Sequence, residues 1–165
     1  MENFYGKYRG LVMNNIDPNR MGRLQVSCPR VLGENMLAWA MPCVPFAGIN
    51  EGFFMMPMMG SNVWVEFEGG DPNYAIWSGC YWTQQTVPSH TATPFVRTIA
   101  TTTSTITLDD TPGAGGVTVA LGPAGTPPVA SVKLGVTGVE ITFGAHKIAM
   151  RVDAVDVNSG ALRVM

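Results

Sequence analysis

In the last third of the chain, apolar and polar residues alternate in short runs at 105–109, 117–121, 139–143, 147–152 and 155–158, mostly separated by Gly, Asp or Asn. A period of two places every second side chain on one face, so these runs predict half-buried strands. From residue 95 onward the aromatics are Phe95 and Phe143, and no stretch has helical spacing. Strips this narrow carry an apolar face that their own chain has little means to cover. The pattern predicts a core shared between several copies.

The first 82 residues are patterned differently. Runs at 5–12, 24–28, 37–44, 63–68 and 75–81 predict five strands, with turns at 14–19 and 69–73. Pro42, inside the third run, points to an edge or a bulge, because proline cannot donate to a ladder. Five strands in about 80 residues, with one long loop between the third and fourth, predict a small closed barrel of the OB type. That loop, 46–60, is too apolar for a solvated connection. It reads as a lid over one barrel end or as a protein-docking surface, with Phe53, Phe54, Met55, Met56 and Met58 as its docking residues. No convergent polar groups accompany it, so no cofactor is expected.

Composition sharpens the division. Residues 1–82 hold 13 of the 15 aromatics and nine of the eleven methionines, so the expected boundaries are a barrel at 1–82, a polar, proline-punctuated connector at 83–94, and a strand-rich region at 95–165. Charged residues make up 13% of the chain, about half the ordinary share, which suggests surfaces hidden by partners. The net charge is −2 with no Lys/Arg cluster, so the electrostatic footprint of a nucleic-acid binder is missing. No apolar run reaches the roughly 18 residues of a membrane-spanning helix. The first five residues lack the layout of a secretory signal. Cys28, Cys43 and Cys80 are odd in number and sit among apolar strand residues, which predicts buried thiols, a reducing compartment and synthesis in the cytoplasm.

Candidate chemistry is sparse. Asp109 and Asp110 are adjacent strand residues that point to opposite faces, so they read as the start of a turn and not as a convergent acid pair. Glu66 and Glu68 share a face but have no base or metal ligand nearby, and read as polar contacts at a subunit or hub surface. Ser78-Gly79-Cys80 has no histidine at an informative spacing, and Cys80 reads as barrel core. His90 and His146 lie 56 positions apart, and His146 reads as a solvated turn residue. Gly113-Ala114-Gly115-Gly116 is a turn without the strand and helix that a phosphate loop needs. The threonine stretch 101–105 reads either as a linker or as the first outward-facing part of the strand region, the second favoured by Ile99 and Ile106 on either side. The proline-rich stretch 121–128 reads as a surface loop. No catalytic or metal-ligating residue is expected.

Several segments together resemble a known family. They are Tyr8-Arg9-Gly10-Leu11-Val12, Asp17-Pro18, Gly22-Arg23-Leu24-Gln25-Val26, Pro29, Trp39-Ala40, Gly52-Phe53-Phe54, Val63-Trp64-Val65-Glu66-Phe67-Glu68-Gly69-Gly70-Asp71-Pro72 and Trp77-Ser78-Gly79-Cys80. In this order they resemble the barrel of the baseplate V proteins, the central spikes of contractile phage tails, tailocins and type VI secretion (VgrG) machines. Arg97-Thr98, the run from Ile106 to Gly113 and the last ten residues resemble the spike's trimeric β-helix. The chain departs from pointed, metal-tipped spikes in lacking a His-X-His pair and from lysozyme-bearing spikes in its short connector; unlike VgrG, its barrel begins within the first few residues, so the hub is expected to be a separate polypeptide.

The resemblance implies an all-β homotrimer, an OB-fold barrel followed by an intertwined triple-stranded β-helix at 95–165. Ile106, Leu108, Val117, Val119, Leu134, Val139, Ile141, Ile148, Met150, Val155, Val157 and Leu162 would fill the trimer core. The docking loop would meet a separate baseplate hub protein, and Leu162, Val164 and Met165 a PAAR-type tip protein. The implied role is mechanical: assembled in the bacterial cytoplasm and incorporated into a phage-tail-like particle, the spike contacts the target membrane transiently and without catalysis. The alternatives are a single-stranded nucleic-acid-binding OB protein and a cell-wall hydrolase.

Overall fold

The chain folds as two units that divide between Val87 and Pro88, in a computed structural model that describes residues 2–88 and 93–165. His90 and part of the 83–94 connector lie outside the described residues. In the first unit the strands are Tyr8–Asn14 (β1), Leu24–Ser27 (β2), Leu37–Pro42 (β3), Ala47–Gly48 (β4), Glu51–Gly52 (β5), Asn62–Phe67 (β6) and Ala75–Cys80 (β7). One helical turn that the sequence pattern did not signal, Pro29–Leu32 (α1), follows β2. Proline suits its start because the first N–H has no intrahelical partner, and Gly33 stops it at φ 89°.

Strands β1, β2, β3, β7 and β6 close, in that order, into a barrel. Neighbours are antiparallel except β3 and β7, which run parallel through Met41↔Ile76 and Pro42↔Trp77. Closure leaves no edge for Pro42; it is instead the last residue of β3. The ladder shifts occur elsewhere, between Val12 and Asn14 of β1 and between the pairs Val63↔Cys80 and Val65↔Trp77. Alternation in β2 and β6 turns Leu24, Val26, Val63, Val65 and Phe67 inward. Gly10 lets β1 close over them: a Cβ there would stand 2.7 Å from Val65 Cγ2 and 3.1 Å from the Ser27 carbonyl oxygen.

The cysteine expectation needs correction. Cys28 is buried, and burial pushes its thiol pKa up, but Cys43 and Cys80 are exposed. Cys43 lies just past the end of β3 and Cys80 closes β7, where the strand pattern continues after the barrel interior has ended. All three are free thiols.

The second unit is one antiparallel sheet in which each strand pairs with its neighbours in sequence. Its strands are Val96–Ala100 (β8), Ser104–Asp109 (β9), Gly116–Leu121 (β10), Ala130–Gly135 (β11), Gly138–Phe143 (β12), His146–Met150 (β13), Val155–Val157 (β14) and Leu162–Val164 (β15). β8, β11 and β15 go beyond the five runs read from the alternation. The threonine stretch is not a linker: it is a hairpin turn leading into β9, where Thr105 alternates with Ile106 and lies on the face opposite the aliphatic residues. Residues 101–103 form a hairpin turn in which the Thr101 hydroxyl accepts the N–H groups of Thr103 and Ser104, while Thr105 lies buried in β9. Residues 122–129 form the loop between β10 and β11. Among the described residues of this unit only Thr105, Ala149 and Ala154 are buried. The sheet has no hydrophobic core of its own.

Candidate assembly surfaces

The register of the sheet turns scattered aliphatic residues into two continuous rows on one face. One row runs Ile99, Ile106, Val119, Val132, Ile141, Ile148, Val157, Leu162; the other runs Arg97, Leu108, Val117, Leu134, Val139, Met150, Val155, Val164. Between them, on the opposite face, runs Thr98, Thr107, Thr118, Lys133, Glu140, Ala149, Asp156, Arg163. Ile106, Leu108, Val117, Val119, Ile141, Ile148, Met150 and Val155 remain 37–48% exposed, while Val139 and Val157 are half-buried. Sequence reading missed Ile99 and Val132, although Val132 and Leu134 alternate with Ser131 and Lys133. Leu162 and Val164 end the two rows, so they share a face with the core candidates, and Met165 follows them almost fully exposed.

Most of the charge near these strands stays off the apolar rows. Glu140 is 2.7 Å from Lys147 and 3.8 Å from Arg151, and the bond from Lys147 holds its carboxyl below the usual range. Arg163 pairs with Asp153 and Asp156. Opposite-sign neighbours across strands support a solvated sheet face modestly.

On the barrel, the apolar loop is partly packed on the core and partly exposed. β4 and β5 form a small hairpin with Ile49 and Asn50 at its tip. Met56 packs against the core, whereas Phe53, Phe54, Met55 and Met58 are exposed, Phe54 by 71%. Phe46, Phe53, Phe54, Met56, Pro42 and Trp77 help to line a recess of about 360 Å³. Gly22 forms part of its floor, where a Cβ would meet the Phe54 ring at 3.2 Å. The Trp77 indole donates to the Gly22 carbonyl at 3.1 Å, and the Asn15 side-chain amide donates to the Pro57 carbonyl at 3.0 Å.

Asp17 organises the loop that carries Gly22. Its carboxylate accepts the Arg23 guanidinium at 2.7 and 3.1 Å and the N–H groups of Asn19, Met21 and Arg23. The Arg23 bond, above all, holds the Asp17 carboxyl far below the usual carboxylate range. The guanidinium also lies 5.2 Å from the centre of the Trp39 ring.

The residues weighed for chemistry do not converge. Asp109 accepts the Thr111 N–H, and bonding from Thr111 lowers its pKa; Asp110 pairs with Arg97. Glu66 sits 2.5 Å from Lys7, which also donates to Ser78, while Glu68 begins the 3-10 turn Glu68–Gly70 and so is not a strand neighbour of Glu66. Cys80, read as barrel core, is exposed at the end of β7, and His146 opens β13 instead of lying in a turn. Among the described residues no group of His, Cys, Asp and Glu could hold a metal ion.

Two family matches follow these units. Residues 8–82 match the type VI secretion system/phage-baseplate injector OB domain, and residues 97–163 match the phage baseplate V C-terminal trimerisation domain. No curated protein matches the chain.

Proposed function

The chain belongs to the phage baseplate V family, and from that premise we propose that it is the central spike of a contractile injection machine, three copies joined along their C-terminal sheets. The family is a structural component of the baseplate, and its C-terminal domain assembles chains into homo-oligomers, which suits incorporation into a phage-tail-like particle. The observation that carries the finer reading is the pair of exposed aliphatic rows. Burying an aliphatic side chain is worth about 1.5–3 kcal/mol, and those on the rows are already a little over half covered. The remaining gain is about 10–15 kcal/mol per chain, as large as the stability of a typical domain.

Three sheets packed through these rows would form a prism with a dry axis, polar rows outward. β9 to β14 already have both ladder neighbours in their own chain. Intertwining therefore means three twisting sheets that wind about one another, with a ladder between chains open only at β8 and β15. Such a body resists bending because its backbone bonds are paired, so an external push passes along it to an envelope. That task asks for stiffness and no catalysis.

The exposed loop residues Phe53, Phe54, Met55 and Met58, supported by Met56, would seat the barrel on a baseplate hub. Leu162, Val164, Met165 and the outer edge of β15 would take a PAAR-type tip protein, because an open apolar strand edge invites pairing. The testing experiment is native mass measurement of the full chain at micromolar concentration. A trimer is expected; a well-folded monomer overturns the reading.

A further inference from the structure

Within the two rows Arg97 is the one charged member. Its partner Asp110 lies just past β9, and the Asp110 N–H donates to the Phe95 carbonyl at 2.9 Å. The β8–β9 ladder thus runs one residue further and puts Asp110 on the face of Leu108, where its carboxylate meets the Arg97 guanidinium. Both side chains are 61% exposed. Beside them is a recess of about 480 Å³ lined also by Leu108, Val117, Leu134 and Val136. The other cross-strand ion pairs of the sheet, Glu140 with Lys147 and Asp156 with Arg163, engage the opposite row.

We propose that the Arg97–Asp110 pair is a polar layer that sets the register of the assembled sheets, with a second copy of this chain covering it and filling the recess. The inference rests on the trimer reading above. The occupant follows from continuity: Arg97 begins one of the two rows and is also the first residue of the matched trimerisation domain. The physical need is specific. An aliphatic row repeats at every strand, about 4.8 Å apart, so sliding one sheet past another by a strand still sets aliphatic against aliphatic. Such a face favours contact without fixing alignment. A charge pair withdrawn from water tolerates only arrangements that keep both groups satisfied, as single polar positions do in coiled coils. In the lone chain the exposed pair contributes little.

The full chain tests this. Wild type is measured first by native mass; a folded monomer at this step refutes the trimer reading itself and the proposal with it. Arg97→Asp sets two carboxylates together, and a like-charge contact at an interface is expected to weaken trimer formation about a hundredfold or more. Exchanging the charges, Arg97→Asp with Asp110→Arg, is expected to restore it. In Arg97→Met with Asp110→Leu the trimer is expected to persist but lose its single alignment. A nitroxide-bearing amino acid at Thr107 would then report several inter-copy distances where wild type gives one. An intact trimer in Arg97→Asp, no rescue by the exchange, or a single distance in the apolar variant each overturns the proposal.

Discussion

Asp17 is where a single side chain fixes most local geometry. Three backbone N–H groups and one guanidinium converge on a carboxylate whose side chain is 3% exposed. Because its folded pKa is depressed, its contribution to stability is fully present above the ordinary carboxylate value of about 4 and fades as pH falls towards the displaced value. Asp17→Asn should therefore melt earlier than wild type at neutral pH, with the two curves converging in acid, as followed by circular dichroism from pH 7 downwards. A constant gap at all pH values would mean that the charge is irrelevant. Leu24, fully buried, belongs to a different class: Leu24→Ala should cost about 2–5 kcal/mol in urea unfolding of the barrel, through lost transfer energy and the cavity left behind.

At the scale of elements, alternation matters only once register aligns it. Ile141 lies between Val132 and Ile148 in its row. Ile141→Asp would put an unpaired carboxylate from every copy on the shared face, each at a cost of several kcal/mol. Loss of the trimer is expected, and an SDS-resistant trimer like that of wild type would contradict the facing. The barrel loop makes a separable prediction. Replacing Phe53 and Phe54 by Ser should abolish attachment to the proposed hub in particle assembly while leaving the proposed trimer intact, because neither ring belongs to the barrel core cluster. Unaltered attachment would exclude the loop as the docking element.

The whole molecule combines a unit that contains its own core with one that does not. A fragment ending at Val87 should unfold cooperatively at a midpoint independent of concentration. If the proposed assembly couples its folding to association, a fragment beginning at Pro88 should melt at a temperature that rises with concentration. Scanning calorimetry over a tenfold concentration range distinguishes the two. Concentration-independent melting of the second fragment would show that the sheet is stable alone.

The barrel, the strand-rich character of the second unit and most of its apolar face were legible from residue order, because strands that are buried on one side must alternate and because turns need Gly, Asn, Asp or Pro; the pairing of each strand with its sequence neighbours in one antiparallel sheet was not. Ile106, Leu108, Ile141 and Met150 could be picked out by period alone. Pairing could not: Arg97 joins a row of aliphatic residues only when β8 aligns with β9, and Asp110 meets it only because the ladder continues past Asp109. Nor did pattern distinguish Cys28, inside the barrel, from Cys80 at its rim, since alternation describes a strand and not where the enclosed volume ends. Local sequence chooses which face a side chain takes; neighbours distant in the chain decide what that face meets.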